Sequence, residues 1–169
     1  ASAGVRNIYA LTFGGGGKRL ISRGTGGANA DGDSGNARIS DDGRFVVFDS
    51  DATNLVAGDS NGRSDVFVYD SVSNGMRRIS QAAAGVQGNG DSRAPRMPCD
   101  ASYVMFDSTA TNLVAGDGNG VSDVYIAAAV RCAPPDNKPL PEEFDNCHEY
   151  LDRELQLLDR SRGVIALGQ

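Results

Sequence analysis

At 169 residues with 22 glycines, the chain is long enough for one domain with a sizeable core, and its glycine content points to short strands joined by tight turns. Its formal net charge of −6 argues against a nucleic-acid binder, which needs a basic face to neutralise phosphates. No stretch approaches the ~18 to 20 uninterrupted apolar residues that cross a bilayer.

The order of elements is set by a repeat. A shift of 58 positions lays residues 38–69 over residues 96–127 without a gap, and 19 of those 32 positions are identical. The run ATNLVAGD at 52–59 returns unchanged at 110–117. Beyond that block, Arg19, Ile21 and Ser22 return as Arg77, Ile79 and Ser80, and Gly32, Asp33 and Ser34 as Gly90, Asp91 and Ser92. Such self-similarity marks a duplicated structural unit.

The first element, residues 7–22, aligns with the last two strands of a unit, so the chain begins in mid-unit. Its run Phe13-Gly14-Gly15-Gly16-Gly17-Lys18 is not a phosphate loop, because Thr12 stands where the first glycine belongs and Arg19 follows the lysine. It reads as a hairpin turn. A full unit follows over 36–80. Residues 36–40 predict a strand ended by Asp41-Asp42-Gly43, and 44–50 a second, with Phe45 to Phe48 apolar on both faces. After a long loop, 65–70 predicts a third strand rich in β-branched and aromatic residues. Ser73-Asn74-Gly75 then turns the chain into a fourth at 76–80. Another unit begins at residue 94, with its last strand expected at 129–133.

The pattern resembles the repeat of TolB-type (WD40-like) β-propeller proteins, in an extracytoplasmic bacterial variety. The resemblance rests on Ser40-Asp41-Asp42-Gly43-Arg44, the strand ending Phe48-Asp49-Ser50, the strand from Ser64 to Asp70, and Arg77-Arg78-Ile79-Ser80. In the later copy the turn has decayed to Cys99-Asp100-Ala101-Ser102. The fold class expected is therefore all-β: about two and a half propeller blades of four antiparallel strands over 1–133, plus a C-terminal helix. Closed propellers have about four to eight blades, so a partner, further copies or absent chain would complete the ring.

Residues 134–141, with four prolines, read as a linker. Residues 142–169 form an acidic helix and tail, in which Phe144, Cys147 or His148, Leu151, Leu155 and Leu158 share one helical face. Residues 164–167 are a candidate strand that completes the opening half-blade. His148, the only histidine, reads as a helix-surface residue, and no positioned nucleophile accompanies it. Cys99, Cys132 and Cys147 contain no CxxC pair; one disulfide from Cys132 to either of the others suits an extracytoplasmic chain.

The paired loops carry the functional signal. Asp59, Asn61 and Asp65 recur as Asp117, Asn119 and Asp123, oxygen donors at positions 1, 3 and 7 of a candidate calcium loop. The preferred reading is that these side chains cap turns through their own backbone. No cofactor is required on either reading, calcium being the one candidate. The function expected is a non-enzymatic module that binds or scaffolds protein partners, or other copies of itself, in a bacterial assembly. Its expected place is extracytoplasmic (periplasmic, cell-surface or secreted), with no nucleic acid and no membrane-spanning segment. The alternatives are an accessory propeller of a larger hydrolase or peptidase and a calcium-dependent carbohydrate-binding module.

Overall fold

The computed structural model of the chain describes residues 4–12, 17–127 and 163–165. Strands β1 (Tyr9–Leu11) and β2 (Lys18–Leu20) form an antiparallel pair. Strands β3 (Ser34–Ile39), β4 (Phe45–Ser50), β5 (Asp65–Asp70) and β6 (Gly75–Arg78) form a first four-stranded antiparallel sheet in sequence order. Strands β7 (Ser92–Arg96), β8 (Val104–Ser108) and β9 (Asp123–Ala127) begin a second sheet, closed by β10 (Gly163–Ile165).

Alternation within β4 and β5 builds two cores at once, because successive side chains point to opposite faces. Val46, Phe48, Phe67 and Tyr69 pack towards the β1–β2 pair with Ile21, Ala30 and Leu55. Phe45, Val47, Val66 and Val68 pack against Val104, Phe106, Tyr125 and Ala127 of the second sheet. The first sheet is thus covered on both faces, as its unbroken apolar runs require. The stacking contacts repeat with the sequence. Ser34 N–H donates to Arg6 O at 2.9 Å and Ser92 N–H to Ser64 O at 2.7 Å. The Ser34–Ser50 and Ser92–Ser108 hydroxyl pairs are both 2.8 Å apart.

Gly32 and Gly90 explain why the Gly-Asp-Ser triplet recurs. A Cβ at either would lie 2.6 Å from the backbone of the loop leaving the second strand of its sheet, at Asp51–Ala52 and Thr109–Ala110. Asn36 and Gly43 adopt positive φ (51° and 69°), and the later copy keeps both conformations with alanine, at Ala94 (φ 54°) and Ala101 (φ 57°). Both alanines hold these conformations at the expense of strain, about 1–2 kcal/mol in this region, which Gly escapes and Asn offsets by local hydrogen bonding of its short polar side chain. Ala94→Asn is therefore expected to stabilise the chain by about 1 kcal/mol in urea unfolding.

Arg44 closes the β4–β5 end through Nε and Nη2, which donate to Asp70 Oδ1 and Oδ2 at 3.1 and 3.0 Å. These bonds hold the Asp70 carboxyl down at about 2. Its folded value lies below its unfolded one, so this stabilisation is present above about pH 4 and is lost as pH falls towards 2. Arg44→Leu is expected to flatten the loss of stability across that window, read from urea midpoints at a series of pH values.

Two expectations about the C-terminal part are corrected or unplaced. The strand near residue 164 does not complete the opening half-blade beside β1 and β2. It lies on β9, with Gly163 opposite Tyr125 and Ile165 opposite Ala127, and it runs parallel to it. A parallel neighbour needs a crossover of a dozen or more residues, and residues 128–162 span the gap. The second sheet is therefore mixed rather than a four-stranded antiparallel unit. The strand expected at 129–133, the linker at 134–141 and the helix from residue 142 lie outside the described residues.

Candidate functional site

The two Asp-Asn-Asp loops are built alike. In the first, Asn61 Nδ2 donates to Asp65 Oδ2 at 2.9 Å, and Asn61 Oδ1 accepts from Arg63 N–H at 3.0 Å. In the second, Asn119 Nδ2 donates to Asp123 Oδ2 at 2.7 Å, and its Oδ1 accepts from Val121 N–H at 2.9 Å. Each asparagine turns the loop through its own backbone and ties it to the aspartate that opens the next strand.

What faces the carboxylates differs. Arg78, at the end of β6, places Nη1 3.2 Å from Asp59 Oδ1 and 3.5 Å from Asp65 Oδ2. All three side chains are buried, with 7%, 2% and 1% of their surfaces exposed. The approach to Asp59 is an ion pair without a hydrogen bond, and both Asp59 oxygens and Arg78 Nε have no hydrogen-bond partner among the described residues. Asp65 is better served, accepting also from Ser80 Oγ at 2.6 Å. Burial pushes both carboxyls above their usual range. A guanidinium thus sits where the first loop offers its oxygens.

The second loop has no arginine at this register, because Gly163 stands opposite Tyr125 as Arg78 stands opposite Phe67. A cavity of about 400 Å³ lies here instead, lined by Asp117, Asn119, Asp123 and Tyr125. The Tyr125 hydroxyl donates to Asp117 Oδ2, and burial, followed by this carboxylate, pushes the phenol well above its ordinary range. Among the described residues no three His, Cys, Asp or Glu side chains converge as a metal site requires.

Arg78 and Tyr125 were not singled out by the sequence. The only available signal was that the repeat replaces Phe67 by Tyr125 and Arg78 by Asp136, an exchange of polarity at two positions that are buried in the first copy. Cys99 is an exposed free thiol, and the neighbouring Asp41 carboxylate raises its pKa. Cys132, Cys147 and His148 lie outside the described residues.

The parallel pairing of β10 with β9 makes the second sheet mixed, which a string of purely antiparallel repeats does not account for. The comparison with known families agrees. The model of the Uracil DNA glycosylase superfamily matches residues 60–169, and the chain belongs to that superfamily. Its relatives include a type-5 uracil-DNA glycosylase of Thermus thermophilus, 50% identical over 54 residues that make up 32% of this chain and 25% of that protein. A type-5 enzyme of Pyrobaculum aerophilum is 51% identical over 53 residues, 31% of this chain and 23% of that one. A type-4 enzyme of Archaeoglobus fulgidus is 38% identical over 60 residues, 35% of this chain and 30% of that one. The chain spans about a quarter of the length of these relatives. Among solved structures, the crystal structure of the tricorn protease aligns with 80% of this chain and 13% of its own, at 19% identity and a TM-score of 0.47, too loose a likeness to assign a fold.

These findings overturn the family and fold class expected from the repeat. The superfamily is that of DNA glycosylases, not TolB-type propellers, and its matched segment takes in the mixed second sheet. The non-enzymatic scaffold, the accessory propeller and the carbohydrate-binding module fall with that family, as does the extracytoplasmic location it implied. The exclusion of nucleic acid fails for a physical reason. Net charge averages over the whole chain, whereas phosphates are met by local groups of cations.

Proposed function

We propose that the protein to which this chain belongs excises uracil from DNA. The reading is carried by the superfamily match over residues 60–169, together with about half identity to named uracil-DNA glycosylases. The reaction is hydrolysis of the bond between uracil N1 and deoxyribose C1′. Uracil leaves with the bonding electron pair, water adds to C1′, and an abasic site remains. Water is the only co-reactant, so the chemistry requires no cofactor. In sheets with parallel strands, ligands bind beyond the carboxyl ends of the strands. The parallel register brings the carboxyl ends of β9 and β10, Ala127 and Ile165, to the same edge, which supports putting the uracil pocket at that edge as part of this proposal. Such an enzyme works where the DNA is, inside the cell. The test is incubation of the full-length protein with an end-labelled duplex holding one uracil, followed by alkaline cleavage. Scission at the uracil, and none in the thymine control, is expected; an intact uracil strand overturns the proposal.

We also propose that Asp59, Asn61 and Asp65, like Asp117, Asn119 and Asp123, shape turns and do not hold calcium. The asparagine amides are engaged within their own loops, and Arg78 supplies the positive charge of the first. Calcium ions at millimolar concentration should leave the melting temperature unchanged, and a rise abolished by Asp117→Asn would contradict this.

A further inference from the structure

We infer that the turn at residues 116–119, beside the amino end of β9, binds a primary carboxamide. In the first copy of the loop the same turn already holds one. The Gln87 amide is clamped there by the backbone of residues 58–61. Its Nε2 donates to Gly58 O at 2.5 Å, and its Oε1 accepts from the N–H groups of Ser60 and Asn61, both at 3.1 Å. These three contacts are to main chain, so they depend on the path of the loop and not on its side chains.

That path is kept in the second copy. Gly58 and Gly62 have φ of 74° and 64°, and Gly116 and Gly120 have 84° and 68°. Asn119 ties Asp123 and the Val121 N–H together as Asn61 ties Asp65 and the Arg63 N–H. Gly116 O, Gly118 N–H and Asn119 N–H therefore stand as Gly58 O, Ser60 N–H and Asn61 N–H do. Among the described residues none fills the place of Gln87. Gly116, Gly118 and Asn119 instead line the cavity of about 400 Å³. A Cβ on Gly118 would meet no described atom within 4 Å beyond its chain neighbours. The sequence offers no substitute at the repeat position, since Asp145 stands 58 residues beyond Gln87. An ionised carboxylate only accepts and cannot donate to Gly116 O.

The clamp selects by chemistry. Two N–H donors converge on one ligand oxygen, and the carbonyl beside them requires a ligand donor. An amide satisfies both demands. A carboxylate would set its second oxygen against Gly116 O, with Asp117 lining the same cavity. A site built to hydrogen-bond a ligand N–H rejects the analogue that lacks it. Glutamine side chains and small free amides share this head group. The site lies at the opposite end of β9 from Ala127, and the inference does not rest on the glycosylase reading.

The test is a titration of the full-length protein followed by proton–nitrogen correlation spectra. The probes are propionamide, propionate, and a peptide with one central glutamine and no other primary amide. Propionamide is expected to give saturating shifts of the Gly118 and Asn119 amide resonances, with a Kd on the order of millimolar. Propionate should bind at least about tenfold more weakly. The Ser60 and Asn61 resonances, covered by Gln87, should stay in place, and Gln87→Ala should make them respond to propionamide as the second loop does. If that variant fails to fold, the wild-type titration decides alone. Tighter binding of the peptide than of propionamide assigns the site to a glutamine residue of a polypeptide; equal or weaker binding assigns it to small amides. No shift at Gly118 and Asn119, or equal shifts with propionate, overturns the inference.

Discussion

Arg78→Met is expected to destabilise the chain by about 3–5 kcal/mol at neutral pH, the cost of leaving buried carboxylates without their counter-ion. The guanidinium is the only positive group within ion-pair distance of Asp59 and Asp65 among the described residues. Both Asp59 oxygens lack hydrogen bonds, so that carboxylate depends on the guanidinium, whereas Asp65 also accepts from Ser80 and Asn61. The pH dependence follows from the direction of the shifts. Burial raises both carboxyls above their unfolded values, so the folded state holds their protons more tightly. Stability from that source is present below about pH 4 and is lost as pH rises through the folded values. Without Arg78 the two carboxyls rise further, and the deficit of the variant should shrink on acidification. Adding Asp59→Asn and Asp65→Asn to Arg78→Met should recover much of the loss at neutral pH. Urea unfolding of the wild type and the two variants at several pH values reads all of this. A deficit independent of pH, with no recovery in the triple variant, would place the role of Arg78 in packing alone.

Phe48→Ala is expected to cost about 3–5 kcal/mol through the cavity it leaves. Phe48 is fully buried and stacks on Phe67, with ring centroids 5.9 Å apart. It fills the layer between the first sheet and the β1–β2 pair, beside Ile21, Leu55 and Tyr69. Its repeat counterpart Phe106 stacks on Tyr125 at 5.8 Å in the layer between the two sheets. Phe106→Ala should therefore cost about as much, which thermal unfolding of the two variants can compare. Val121→Ala, at a side chain 57% exposed, should stay within about 0.5 kcal/mol of wild type.

The strands themselves were legible because two signals coincided. Asn74-Gly75 and Asp42-Gly43 punctuate the chain where the structure turns, and the runs from Phe45 to Phe48 and from Val66 to Tyr69 are β-rich and apolar on both faces. The 58-residue period then carried the same boundaries into the later copy. Pairing direction was not legible. Val164 and Ile165 look like strand residues in any sheet, and only the backbone shows that they run parallel to β9. The role of Arg78 was hidden for a related reason. Sequence displays the carboxylates Asp59 and Asp65 but not their counter-ion, which arrives from a different strand of the sheet. The repeat also drew attention to residues 36–127, while the superfamily match extends over residues 60–169.

Membership of the glycosylase superfamily and the mixed second sheet meet at Gly163–Ile165. Nuclear Overhauser contacts across the second sheet test that point most directly. The expected result is a parallel ladder, with backbone contacts linking Gly163 to Tyr125 and Ile165 to Ala127. An antiparallel ladder on β9, or contacts from Val164 to Tyr9 and Leu11 of β1, would make this segment the closing strand of a repeat and contradict the α/β reading of the family-matched part.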